Sequence, residues 1–171
     1  MKKKKIIVII LIASVLLALG LFYFYFKENN STFNKETKNE QQLENFEVFL
    51  PSSKELITKQ IYAKKEIQEL KKIETITESF LRELPPPLKE TKILGIYRDK
   101  ENIVYIDLSS DFCAPMDALQ EYLLLKAFYK TLKNNFPWIN DIKILINNKE
   151  IETLSGHFLI ENSLKEYGEE N

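Results

Sequence analysis

The chain has little of what most chemical sites require. It carries one cysteine, Cys113, and one histidine, His157. A lone cysteine excludes an internal disulfide: it either pairs between chains or stays free and buried. Its place after Phe112 favours burial, because a free thiol behaves as a small apolar group. One cysteine and one histidine also exclude a structural zinc site or a histidine-based metal cluster within one chain. Basic residues do not gather outside the N-terminus. The formal net charge is −1, and Lys64-Lys65 and Lys71-Lys72 alternate with glutamates, as on a solvated helix face. Nucleic acid, whose phosphates require clustered Lys and Arg, is therefore not an expected partner. Internal repeats are absent.

What the N-terminus does have is a long uncharged run. Met1 and Lys2 to Lys5 form a basic stub, and Ile6 to Phe26 follows without a charge. Such a run is long enough to cross a bilayer core of roughly 30 Å. Four lysines before it, against Lys27 alone just after it, keep the N-terminus in the cytoplasm. Phe22, Tyr23, Phe24, Tyr25 and Phe26 lie at the far end, where aromatic rings favour the interface. A cleaved signal peptide is the competing reading, but it calls for a shorter apolar region and a small-residue cleavage site. Here the run ends in bulky aromatics, and no cysteine follows that could take a lipid. An uncleaved single-pass anchor at residues 6–26 is expected, with the lipid bilayer as partner and the rest of the chain outside the cytoplasm.

Residues 27–44 are rich in Asn, Lys, Glu and Thr and read as a flexible tether. Residues 45–164 suffice for one modest domain, and 165–171 read as a tail. Phe46 to Leu50 is a short strand pattern closed by Pro51, and Leu56 to Ala63 is a second extended stretch. Ile67, Leu70, Ile73, Ile76, Phe80, Leu81 and Leu84 then fall three or four apart, the stripe of an amphipathic helix. Glu78 and Arg82 stand four apart and can pair on its wet face. Pro85-Pro86-Pro87 ends it. Ile93 to Tyr97 and Ile103 to Leu108 read as strands joined by a hairpin loop. Val104, Ile106 and Leu108 share one face, and Ile103, Tyr105 and Asp107 the other. Pro115 and Asp117 open a second, largely buried helix running to about Lys133. Ile142, Ile144 and Ile146 alternate on a further strand, with a return strand expected over Glu150 to Leu154. The fold class is α+β: a two-layer sandwich with two helices on one face of a small mixed or antiparallel sheet.

Several segments in this order resemble the GerMN domain of sporulation and spore-germination proteins. They are Phe80-Leu81, Ile93-Leu94-Gly95-Ile96, Val104-Tyr105-Ile106-Asp107-Leu108-Ser109 with Phe112 behind it, Thr131-Leu132, Phe136-Pro137, and Glu152-Thr153-Leu154-Ser155-Gly156-His157. The Gly-Pro usual after the first helix is replaced by Glu83-Leu84-Pro85-Pro86-Pro87. The glycine usual in the last hairpin is Asn148, which tolerates positive φ better than most residues. The resemblance implies an architecture like that of ring-building modules in extracytoplasmic complexes. It also implies a binding or assembly module without cofactor or small-molecule substrate. Its motif residues, with structural roles, are Val104, Asp107, Ser109, Phe112, Thr131, Pro137, Thr153, Leu154, Gly156 and His157.

Three constellations carry sharper readings. Asp107, Ser109 and His157 are the residue types of a hydrolase triad. No G-x-S-x-G elbow surrounds Ser109, and Gly156 before His157 reads as a turn. Asp107 to Ser109 is better read as a strand end whose side chains bond nearby backbone. Asp107, Asp111 and Asp117 lack the spacing and the glycine of an EF-hand calcium loop, and Asp117 is expected to cap a helix. Tyr97, Tyr105, Tyr122 and Tyr129 form either an aromatic binding face or core-edge packing. Trp138, behind a proline, marks a contact surface if exposed and pins its loop if buried. The expected function is a non-enzymatic, membrane-anchored module that binds a protein partner or self-assembles. An envelope glycan such as peptidoglycan is the alternative ligand. Mass spectrometry of the mature protein checks the anchor: Ile6 to Phe26 is retained, whereas loss of about the first two dozen residues marks a cleaved signal.

Overall fold

The computed structural model describes residues 16–23, 43–161 and 163–168. Residues 16–23 are helical with every side chain exposed. The remainder of the expected 6–26 anchor lies outside the described residues, as does most of the expected tether. Among the described residues no helix is long and apolar enough to cross a membrane.

Residues from Leu43 onward form one compact unit. It opens with an antiparallel hairpin, β1 (Leu43–Pro51) and β2 (Leu56–Lys64). Helix α1 (Glu69–Glu83) follows, then β3 (Ile93–Arg98) and β4 (Ile103–Leu108). Helix α2 (Ala118–Asn135) crosses over to β5 (Asp141–Ile146), which turns into the two-residue β6 (Lys149–Glu150). A last helical turn, α3 (Lys165–Gly168), closes the described chain. β3, β4, β5 and β6 form a mixed sheet in that order, antiparallel, parallel and antiparallel. The parallel β4–β5 pair needs a crossover, and α2 supplies it.

The class is α+β, with helices packed on a mixed sheet. The expected single sheet is corrected to two, because β1 and β2 pair only with each other. Three boundaries also move. β1 starts at Leu43, so Leu43 and Glu44 belong to the domain and not to the tether. The return strand stops at Glu150, and residues from Ile151 form a loop. Residues 165–168, read as tail, pack back through Tyr167, whose ring meets Tyr122 and Phe158 edge-on. Ile67, placed on the α1 stripe, lies before the helix and is 95% exposed. The stripe proper is Ile73, Ile76, Phe80 and Leu81, all buried.

One core joins these parts. Val104, Ile106 and Leu108 of β4 and Ile142, Ile144 and Ile146 of β5 supply the sheet face. Phe128 of α2 is its centre: its ring sits 5.3 Å from that of Phe80 and 5.7 Å from that of Phe112, tilted against both. Cys113, just past Phe112, is free and half-buried. Burial pushes its thiol up from the ordinary value, and the charge of Glu121 adds to this.

The hairpin lacks strand partners in the main sheet, so α2 replaces them with side chains. Thr131 Oγ1 accepts from Phe49 N at 2.9 Å and donates to Phe49 O at 3.2 Å. One turn later, Asn135 Oδ1 accepts from Glu47 N at 3.2 Å and Asn135 Nδ2 donates to Glu47 O at 2.7 Å. Positions i and i+4 on a helix lie one above the other, and positions i and i+2 on a strand expose the same edge. The two periods match over this contact. Thr131→Val keeps the shape but strands one donor and one acceptor of β1, each worth about 1–3 kcal/mol when left unpaired. Urea unfolding is expected to show a loss of about 2 kcal/mol or more for Thr131→Val, and a similar one for Asn135→Ala.

Candidate functional site

The motif residues fall into two polar clusters and the core. Val104 and Phe112 are fully buried, and Leu154 is nearly so. They act through packing. Thr131 holds β1 as described, and Pro137 is exposed in the turn between α2 and β5.

The first cluster surrounds Glu121, in the first turn of α2. Its carboxylate is 0% exposed. Burying a charge is costly unless the group is fully hydrogen-bonded. Here Oε1 accepts from Leu154 N at 3.0 Å and Ser155 N at 2.9 Å, and Oε2 accepts from His157 N at 3.0 Å. Bonds to an ionised acceptor are the stronger kind. The N-terminal turn of a helix also favours negative charge. The loop reaches this carboxylate because Gly156 adopts φ +95°, where a side chain is disfavoured. Thr153 Oγ1 accepts from Gly156 N at 3.0 Å and sets the turn. Ser155 Oγ then accepts from Met116 N at 2.9 Å and donates to Met116 O at 3.1 Å, and His157 Nε2 lies 3.1 Å from the same oxygen. Asp117 caps α2 in a full capping box with Gln120.

The second cluster lies at the end of β4. Asp107, 4% exposed, accepts from Asn148 N at 2.8 Å. Asn147 and Asn148 have φ of 50° and 62° in the β5–β6 turn, so the carboxylate fixes the positive-φ turn in which Asn148 takes the place of a glycine. Ser109 Oγ accepts from Lys92 N at 2.9 Å and donates to Asp111 Oδ2 at 2.8 Å. Asp107 and Ser109 thus bond backbone 41 and 17 residues away, and Ser109 also bonds the Asp111 side chain in the turn that follows it.

Asp107, Ser109 and His157 are therefore engaged with separate partners, and among the described residues no hydrogen bond joins any two of them. Asp107, Asp111 and Asp117 each hold a different group, and no three acidic, histidine or cysteine side chains among the described residues could share a metal ion. The tyrosines divide. Tyr97 and Tyr105 are paired neighbours on the outer sheet face, Tyr122 sits with Phe158, and Tyr129 is buried. Burial pushes the Tyr105 hydroxyl up, and the charge of Asp99 adds to this. Trp138 is half-buried and pinned: its Nε1 donates to Glu69 at 3.1 Å, and Arg98 stacks over its ring at 4.4 Å. Glu121 is the residue that sequence reasoning missed. Its position three, four and seven residues before Leu124, Leu125 and Phe128 places it on the buried face, which was the available signal.

A cleft of about 540 Å³ lies beside the first cluster. Five of the six prolines (Pro51, Pro85, Pro86, Pro87 and Pro115) line it from the end of β1 and two loops, with Met116, Leu119 and Gln120. Its lining holds no aromatic ring.

Glu121→Ala strands three backbone donors and is expected to cost roughly 3 kcal/mol or more. Glu121→Gln can keep the bonds to Leu154 and Ser155 but turns an amide towards His157 N–H. Hydrogen exchange checks this: the Leu154 and Ser155 amides stay protected in the glutamine variant only, and the His157 amide exchanges faster in both.

Similarity to known proteins follows the same arrangement. Residues 22–152 match the family described as Germane, sporulation and spore germination. The match stops before Thr153, so the loop around Glu121 lies beyond it. Two solved structures share the fold. One is a "putative lipoprotein" from Clostridium perfringens, with 20% identity and a TM-score of 0.51 over 71% of this chain and 86% of that one. The other is the tandem GerMN domains of the Bacillus subtilis sporulation protein GerM, with 15% identity and a TM-score of 0.52 over 70% of this chain and 44% of that one. Comparison with curated proteins finds no match. With well over half its length matched, from Phe22 to Glu152, the chain belongs to the Germane, or GerMN, family of sporulation and spore germination domains.

Proposed function

We propose that this chain is a non-enzymatic GerMN module, anchored to the cytoplasmic membrane by residues 6–26, that assembles with protein outside the cytoplasm in a sporulation, germination or envelope complex. The observation that carries the reading is how the polar motif residues are used. Asp107, Ser109, Ser155 and His157 are bonded to backbone, and Ser109 also to the exposed Asp111; among the described residues no hydrogen bond joins a serine hydroxyl to His157. The family, too, is one without known catalytic activity. Such a chain acts through its surface.

Two further observations support the placement. Leu16, Leu17, Leu19, Leu21, Phe22 and Tyr23 are between 59% and 68% exposed, the surface that a helix presents to lipid. The similar Clostridium chain bears the description "putative lipoprotein", which supports an envelope location here. For a glycan ligand, a groove would need aromatic and polar side chains together. The proline-lined cleft has the polar groups without the rings, so protein is the preferred partner.

Crosslinking in cells followed by affinity capture tests the reading. A specific protein partner, or a second copy of the chain, is expected. Ser109→Ala and His157→Ala variants that still fold are expected to capture the same set. Retention of the soluble domain on peptidoglycan fragments, with no protein captured, would replace this reading with the glycan one.

A further inference from the structure

We infer that the outer edge of β2 is a self-association surface, where β2 of a second copy adds antiparallel about a two-fold axis at Gln60. This rests on the assembly reading above and deepens it. The backbone pattern sets the geometry. Glu47 and Phe49 give their N–H and C=O groups to Asn135 and Thr131, so both face away from β2. They stand opposite Gln60 and Thr58. In an antiparallel ladder, opposed residues alternate between bonded and non-bonded pairs, so these two pairs are non-bonded. The hairpin end agrees. Pro51, opposite Leu56, has no N–H to give, and Ser52 N bonds Glu55 O across the turn at 2.9 Å. Leu56, Thr58, Gln60, Tyr62 and Lys64 therefore point their N–H and C=O groups outward. Among the described residues, none of these backbone groups meets another polar group.

The edge also lacks the usual protection. Its nine residues hold no proline, and their register runs without a bulge. Its mid-strand charge, Lys59, is held by Glu83 at 2.7 Å. The outer edge of β1, by contrast, is covered by side chains of α2.

Donors and acceptors that alternate every second residue fit an extended backbone. The side chains select a second copy. With Gln60 opposite its counterpart, Leu56 opposes Lys64, Thr58 opposes Tyr62, Ile57 opposes Ala63 and Lys59 opposes Ile61. No lysine meets a lysine, and all five outward residues are paired, each pair exchanging two bonds. Centring the axis on Lys59 would set Lys59 against Lys59 and Lys54 against Lys64, like charges that destabilise a cross-strand pair. Tyr62, 71% exposed, and Ile57, 50% exposed, gain neighbours in the favoured register.

The test uses the full chain in mild detergent, with Cys113→Ser as background. Opposed residues of a bonded pair lie about 5.5 Å apart at Cα, within reach of a disulfide. Under mild oxidation, Gln60→Cys is expected to give a covalent dimer. Thr58→Cys and Tyr62→Cys chains are expected to crosslink when mixed and not alone. Gln60→Pro removes an outward N–H without touching the β1 pairing, and the dimer is expected to be lost in sedimentation. Should that variant fail to fold, the cysteine mixing experiment still decides. A Gln60→Cys chain that stays monomeric overturns the inference, as does Thr58→Cys crosslinking to itself as readily. A chain that is monomeric yet captured with another protein in cells overturns the two-fold pairing and leaves the assembly reading standing.

Discussion

The hairpin β1–β2 shares no strand pairing with the mixed sheet, so the fold depends on how α2 grips it. Four side chain to backbone bonds, from Thr131 and Asn135 to Phe49 and Glu47, do this work on the polar side. Phe46, Val48 and Leu50 do it on the apolar side, against the same core that holds Phe128. The opposite end of α2 grips the C-terminal loop through Glu121. One helix thus fastens both ends of the domain to the sheet, its polar residues placed where each end needs satisfaction. Unpaired backbone groups at these contacts would cost more than the bonds contribute, so the contacts are specific as well as adhesive.

Much of this was legible in the sequence. Period-2 patterns in β4 and β5 and the 3.6-residue stripe of α1 follow from side chains alternating across a strand and recurring on a helix, and they fixed these elements closely. Asp117 read as a cap because its side chain can reach the first free amides of the helix. What escaped is non-local. Nothing in Phe46 to Leu50 says whether its edge pairs with a strand or with a helix side chain, because both satisfy the same groups. The expected end of β6 at Leu154 moved because Glu121, 33 residues away, takes the Leu154 amide that a return strand would use.

The polar motif illustrates the same limit. Asp107, Ser109 and His157 invite a catalytic reading as a list of residue types. Their partners turn them to backbone support, and the decisive residue at the second cluster's counterpart, Glu121, carries no motif at all. It is a glutamate in a run of leucines, recognisable only by the face it occupies. Side-chain type suggests chemistry, but burial and partner decide it.

The grip of α2 on the hairpin also bears on how the chain comes into being. Phe49 and Thr131 are 82 residues apart, and Glu47 and Asn135 are 88 apart. A chain emerging N-terminus first presents β1 and β2 before α2 exists, and a hairpin can close on microsecond timescales. Alone, a two-stranded hairpin is marginal in water, and its outer edges stay bare until α2 has been made. During that interval two nascent hairpins can meet before either has its helix, an exposure typical of domains whose first strands wait for late partners.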